Sequence, residues 1–331
     1  MKENAGNLPH KGRAAGHIPL IYVVVKETNM NQIKLAPLKG AAFIVMAGIA
    51  FAIINIITQK LTSAPDWGGF GFRSTSDAFW QYFFALLFSL PFIFRQGLGA
   101  MKSSRPGLHA IRVILSALGV QAFVLGLANG VPIWQVIALV MTSPFFILLG
   151  AKFYLGETVS QKRWVASLMG FAGAMIVLQP WSSGFTYWSL APIAAALLWG
   201  AASLLTKQLT ATESPAAITL WLLLLLSPIN FGLSVANGFE FPTGTILWLV
   251  LAAGFLQFLA QYFLTRAYAA ADAAFLQPFD DLRLVFNIVA GFLVFGYLPE
   301  GNLWLGIALI FAGSAYLLYS DRTAQGEPTP A

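Results

Sequence analysis

Asp280, Asp281 and Arg283 stand roughly 9 to 12 residues inside a 27-residue apolar stretch, 272–298. In a helix rising 1.5 Å per residue that is roughly 13–18 Å deep, near the middle of a bilayer. A charge there costs at least about 2.5–3.5 kcal/mol on insertion scales, so it needs a partner or a watery cavity. Asp280, Arg283, Asn287 and Gly291 recur three and four apart and share one helical face, which must look into the protein. Asp280 can pair with Arg283, leaving Gln277 and Asp281, four apart, beside that pair. Pro278 removes a backbone donor and loosens the turn before it, and the freed carbonyls can meet a substrate or an ion. On this pattern Asp280 or Asp281 binds a cationic group or carries a coupling proton, while Arg283 takes a carboxylate or phosphate. Two other readings stay open. In one the pair is a structural ion pair joining helices; in the other the span begins near Leu282 and leaves the aspartates at the inner interface.

Weaker candidates are uncharged. Asn55, Gln121, Gln135, Gln257 and Gln261 lie in apolar runs, where an amide bridges helices or touches a ligand. Trp134 and Trp199 can stack on a planar substrate or simply pack. Ser143-Pro144, Ser227-Pro228 and Pro278 are expected kinks, with Pro144, Pro228 and Pro278 the candidates for gating. Glu157 with Lys152, Lys162 and Arg163 reads as a solvated charge cluster at an inner rim. Other chemistry is thin. Cysteine is absent, so thiolate catalysis and cysteine-bound metals are excluded, and His10, His17 and His109 have no ligand-like spacing. No metal site and no cofactor are expected. No phosphate-binding Gly-x-x-x-x-Gly-Lys-Ser/Thr loop occurs, which argues against ATP drive within this chain.

The elements that must position these residues are membrane helices. Hydrophobic residues make up 58% and charged residues 10% of the 331, and mean hydropathy is +0.73. A soluble domain carries roughly 25% charged residues, so a soluble enzyme and a nucleic-acid binder are ruled out. A spanning helix needs about 20 apolar residues. Ten stretches qualify: 38–60, 78–95, 108–127, 131–151, 163–180, 187–207, 215–236, 244–265, 272–298 and 302–320. With the N-terminus cytoplasmic, sixteen Lys and Arg fall inside and two, Lys60 and Arg73, outside, so both termini are expected in the cytoplasm. Residues 1–37 form a leader expected to be disordered, with Met30 the expected native start because Lys26-Glu27-Thr28-Asn29 offers no cleavage site after the short run Ile18–Val25. Residues 321–331 form a tail.

The two halves, 38–180 and 187–320, repeat one another. Ala195–Thr210 (AALLWGAASLLTKQLT) parallels Ala47–Thr62 (AGIAFAIINIITQKLT), and Phe171-Ala172-Gly173-Ala174 parallels Phe311-Ala312-Gly313-Ser314. Five spans per half is odd, so the second half enters from the opposite side. The fold class is therefore all-α integral membrane, ten transmembrane helices as two inverted five-helix repeats, with the site between them near the midplane.

Several motifs carry a family likeness. They are Trp199-Gly200 followed by Lys207; Pro144 with Leu155-Gly156-Glu157; Arg163-Trp164 and Gly170-Phe171-Ala172-Gly173; and Gln277–Leu284 (QPFDDLRL) with Phe295–Glu300. Over 38–320 the chain resembles the EamA-type carriers of the drug/metabolite transporter superfamily. Ser104-Arg105-Pro106 to Arg112 resembles the S-adenosylmethionine-uptake branch. The first half has Phe51-Ala52 where the Trp-Gly pair would stand. The resemblance implies a bacterial inner-membrane carrier that moves a small organic metabolite by alternating access, proton-coupled or by exchange, or an uptake carrier for S-adenosylmethionine. A non-transporting receptor and a membrane enzyme are the rival classes. Adjacent aspartates on one helix do not make a protease dyad, and no membrane-embedded histidine serves a serine mechanism. The expected partners are a small-molecule metabolite and the lipid bilayer, with no nucleic acid; a homodimer is left open.

Overall fold

The computed structural model describes residues 20–63, 65, 68–96, 102–129, 139–140, 142–178, 187–295 and 303–324. Every regular element among them is helical: α1 (Leu20–Thr62), α2 (Ser74–Gln96), α3 (Pro106–Ala128), α4 (Ser143–Phe153), α5 (Gln161–Leu178), α6 (Leu190–Leu209), α7 (Pro215–Ala236), α8 (Gly244–Ala270), α9 (Ala273–Asp280), α10 (Leu282–Phe295) and α11 (Leu303–Ala324). A short 3₁₀ turn, Tyr187–Ser189, leads into α6. Five of the described segments are long and apolar enough to cross a membrane: Pro37–Thr62, Pro106–Phe123, Tyr187–Leu209, Pro215–Ala236 and Gly244–Ala270. Residues Met1–Ala36 form a unit of their own, and Pro37–Ala331 form the main body.

Helical backbone covers 20–36, a segment with no glycine or proline to break it. Two expectations need correction. The stretch 272–298 is not one helix, because it divides at Asp281 into α9 and α10. Pro278 supplies the reason: it has no N–H for the preceding turn, and α9 ends two residues beyond it. Within the stretch 131–151, α4 begins at Ser143 with Pro144 in its first turn. There a missing N–H costs nothing, so Pro144 starts a helix rather than kinking one. Trp134 and Gln135 lie outside the described residues.

The main body is inside out relative to a soluble protein. Ile111, Ile114, Leu118 and Leu125 run as an exposed stripe along α3, and Phe153 and Trp248 are 76% and 72% exposed. In water such a surface would aggregate, whereas in hydrocarbon it is matched to its solvent. Small residues hold the helices together. A Cβ on Gly173 of α5 would lie 2.6 Å from the Gly306 carbonyl of α11, and one on Gly313 of α11 would lie 2.9 Å from the Ala166 carbonyl of α5. The glycine of each repeated Phe-Ala-Gly motif thus lies against the backbone of the other helix, Gly173 at Gly306 and Gly313 at Ala166.

Charge is spent on helix ends. Glu157, in the loop between α4 and α5, accepts the N–H groups of Ala273 and Ala274 at 3.0 and 3.1 Å. Lys207 of α6 donates to the carbonyls of Tyr268 and Ala271 at 2.9 and 2.6 Å. An anion therefore caps the start of α9 and a cation the end of α8, as the helix dipoles favour. Arg163 pairs with Asp272 between those two helices at 3.2 Å. Glu157 is a cap, not the solvated cluster its charged neighbours suggested.

Candidate functional site

The break between α9 and α10 gathers most of the expected polar residues. Asp280 is the last residue of α9 and Arg283 lies in the first turn of α10; they pair at 3.4 Å and are partly buried. The Arg283 guanidinium also lies over the Phe51 ring of α1, 5.8 Å from its centroid, a cation–π contact. Asn287, one turn further, donates to the Arg283 carbonyl at 2.7 Å. Its side-chain oxygen accepts from Asn55 of α1 at 2.9 Å. α1 packs on α10 here through Gly48, where even a Cβ would sit in ordinary contact with the Arg283 Cβ at 3.5 Å. The wall between α1 and α10 therefore carries an amide pair, a guanidinium and an aromatic ring within two helical turns.

Asp281 sits differently. It turns into the protein, 3% exposed, with its Oδ2 against Gly170 of α5 and without a hydrogen-bond partner. Gln277, one turn earlier and fully buried, donates to the Ala273 carbonyl at 2.7 Å. The backbone carries the chain through the break with bonds from Asp281 N–H to the Gln277 carbonyl and from Leu284 N–H to the Asp281 carbonyl, both 3.1 Å.

Trp199 of α6 belongs to the same neighbourhood. It shares an apolar cluster with Leu282, Val285 and Phe286 of α10. Its ring lies 5.8 Å from Phe123 of α3, and its Nε1 donates to the Ser116 carbonyl at 3.2 Å. Gln257 is buried on α8, whose Leu256 and Ala260 meet Ala50 and Ile54 of α1. Gln121 is not brought in, because it lies exposed on α3. Pro228 stands inside an unbroken α7, beside Ser227, whose hydroxyl bonds the Leu223 carbonyl at 2.7 Å. Among the described residues no group of His, Asp and Glu gathers as a metal site. An apolar groove of about 390 Å³ runs past Leu38, Val45, Phe279, Leu282 and Phe311, but its lining offers nothing polar to orient a ligand.

Gly48, Phe51, Gly170 and Tyr268 were not legible as site residues. Tyr268 is buried on α8 and faces Ser203 and the end of α9. Each works through a neighbour from a distant part of the chain; Gly170 and Phe51 carried a signal, their places in family motifs.

A second buried cluster lies elsewhere, where the start of α3 meets the α6–α7 loop. His109 Nε2 and Glu213 Oε2 are 2.7 Å apart, with side chains 0% and 3% exposed. Ser103 donates to the other Glu213 oxygen at 2.6 Å. Arg112 reaches the Ile218 carbonyl at 2.7 Å, and His109 stacks on Trp221. Burial alone would raise the Glu213 carboxyl, but its bonds to Ser103 and His109 outweigh that and hold it below the ordinary carboxylate range.

The EamA-like transporter family matches the chain twice, over residues 38–179 and 186–319. The chain belongs to the EamA-like transporter family. It is 55% identical to the riboflavin transporter of Rhizobium johnstonii over 92% of this chain and 100% of that one. It is 43% identical to the riboflavin transporter of Vibrio cholerae, over 86% and 94%. The S-adenosylmethionine uptake transporter of Rickettsia felis is 26% identical, over 84% and 95%. A protein of known crystal structure shares the fold, with a TM-score of 0.67 at 17% identity over 88% of this chain and 99% of that one. This member of the EamA-like family is a multi-pass bacterial inner-membrane transporter of a small metabolite, and not an enzyme.

Proposed function

We propose that this transporter carries riboflavin. The observation that carries the proposal is identity of 55% across the whole length of a riboflavin transporter, against 26% for a carrier of S-adenosylmethionine. The wall between α1 and α10 supports it. Riboflavin is uncharged, with a flat three-ring system, an imide edge of alternating acceptors and one donor, and a polyol tail. Asn55 and Asn287 together offer donors and acceptors suited to an imide edge. Phe51 and Trp199 offer ring faces for the flat system. S-adenosylmethionine is a sulfonium cation and asks for a free carboxylate on the substrate wall, whereas Asp280 there is already paired with Arg283 and Asp281 turns away to α5.

In this reading ten spans form two inverted five-helix repeats, 38–180 and 187–320, with both termini cytoplasmic. Sixteen basic residues inside against two outside support that orientation. The repeats rock about the wall that holds Asn55 and Asn287, exposing it to each side in turn.

The test is uptake of labelled riboflavin by cells that cannot make it, with unlabelled riboflavin and S-adenosylmethionine as competitors. Riboflavin should accumulate and S-adenosylmethionine should not compete. Asn55→Ala and Asn287→Ala, at wild-type membrane abundance, should each lower uptake roughly tenfold, the loss of one or two hydrogen bonds. Accumulation of S-adenosylmethionine with no riboflavin uptake would reverse the assignment.

A further inference from the structure

We infer that the break at Asp281 is the coupling-ion site of this carrier, holding a proton or a sodium ion apart from the substrate wall. The inference rests on the proposed alternating-access cycle. Two acids and one base meet at the break, and the base is taken. Arg283 pairs with Asp280 on the side of α1, while Asp281 points to α5 and leaves Oδ2 without a partner. A buried carboxylate oxygen with no donor is strongly unfavourable, and the nearby Arg283 is already shared with Asp280. Charge balance at this depth therefore calls for one more positive charge on Asp281.

The surroundings suit a small cation. Ser167, one turn before Gly170 on the same face of α5, is also buried with its hydroxyl unpartnered. Gln277, one turn before Asp281, presents a buried amide. Gly170 has no side chain to keep the carboxylate away from the α5 backbone; a Cβ there would overlap Asp281 Oδ2. Interrupted helices are where carriers of inverted-repeat design place ions.

Among the described residues the other nearby charges are committed elsewhere. Lys207 of α6 is committed to the end of α8, Arg163 at the head of α5 to Asp272, and Glu157 to the start of α9. Tyr268 of α8 is the remaining titratable neighbour, and Asp280 with Arg283 completes the set. The arrangement separates two jobs: the wall between α1 and α10 meets the substrate, and the contact between α5 and the break meets the driving ion. Occupying Asp281 neutralises it and lets α5 and the break close together, so an ion bound on one side is carried through the same rocking step as the substrate.

The experiment uses the full chain in proteoliposomes with labelled riboflavin, under an inward proton gradient and, separately, an inward sodium gradient. One of the two should drive accumulation, up to about tenfold for a tenfold gradient at one ion per substrate. The gradient that works names the ion. Asp281→Asn should reduce accumulation to the equilibrium level yet still exchange internal for external riboflavin. Ser167→Ala, a milder change, should lower the accumulation ratio in the same direction. Gradient-driven accumulation by Asp281→Asn would overturn the inference, as would a wild type that exchanges riboflavin but responds to neither gradient. A wild type that exchanges no riboflavin sinks the substrate assignment instead. In that case the site is read without substrate, from a melting midpoint that depends on pH or sodium in the wild type. That dependence should vanish in Asp281→Asn, and its persistence there would overturn the inference.

Discussion

Two buried charge clusters in this protein look alike by composition and differ in what they leave over. Where α3 meets the α6–α7 loop, both oxygens of Glu213 have donors, and the unpartnered atoms are nitrogens, His109 Nδ1 and Arg112 Nε. At the break between α9 and α10 the unpartnered atoms are oxygens, among them a carboxylate oxygen, Asp281 Oδ2, beside Gln277 Oε1 and Ser167 Oγ. An acid whose oxygens are both satisfied by protein groups holds structure together. One that is buried and unsatisfied is a place for something the protein must pick up. The same chemical change, carboxylate to amide, should therefore have opposite consequences in the two places.

The largest loss of stability belongs to Glu213→Gln. The amide cannot accept from both Ser103 and His109 as the carboxylate does, and Arg112 loses the nearby negative charge. The expected cost is about 2–3 kcal/mol, read as a clear drop in melting midpoint and membrane abundance. The effect has a pH signature. A carboxyl held below its ordinary range in the folded state adds stability above that range and loses it as pH falls through its folded value. The gap between wild type and Glu213→Gln should be full near neutrality and shrink as pH falls below about 4.5. A gap that is the same at every pH would mean that the charge of Glu213 plays no part.

How much of this was legible beforehand follows from distance along the chain. The membrane class followed from composition, and the Asp280–Arg283 pair from a three-residue spacing that needs no knowledge of other helices. The partner of Asn55 is 232 residues away, and nothing near Asn55 in sequence points to Asn287. Likewise Glu157 reads locally as one charge among Lys152, Lys162 and Arg163. Its role at the start of α9 depends on packing that places residue 157 beside residue 273. The position of the break was misjudged by a few residues because a proline's effect on a helix depends on what can take up the freed carbonyls. Periodicity identifies faces, but it does not identify which face meets which.

Glu157→Gln sharpens the comparison at an intermediate size. The amide keeps one oxygen to accept from Ala273 or Ala274, but it turns an NH2 toward the other N–H, and the charge facing the α9 dipole is gone. The expected loss is about 1 kcal/mol, measured as a modest fall in melting midpoint. Coupling should persist, because this cap lies at the far end of α9 from Asp281. If ion-driven accumulation disappeared in Glu157→Gln, the cap and the break would be one unit and the distinction between satisfied and unsatisfied acids would fail.

The smallest change in stability is expected from Asp281→Asn, and it is the decisive one. Removing one partner of a satisfied buried acid leaves an orphan and costs stability; removing the charge of an acid that has no partner takes away a penalty. The amide matches the neutral carboxylic acid in shape, so the contact with Gly170 can be kept. The melting midpoint in ion-free buffer should stay within about 0.5 kcal/mol of wild type or rise slightly. A large fall would mean that Asp281 is held by donors in the folded protein, as Glu213 is, and the two clusters would then be the same kind of object.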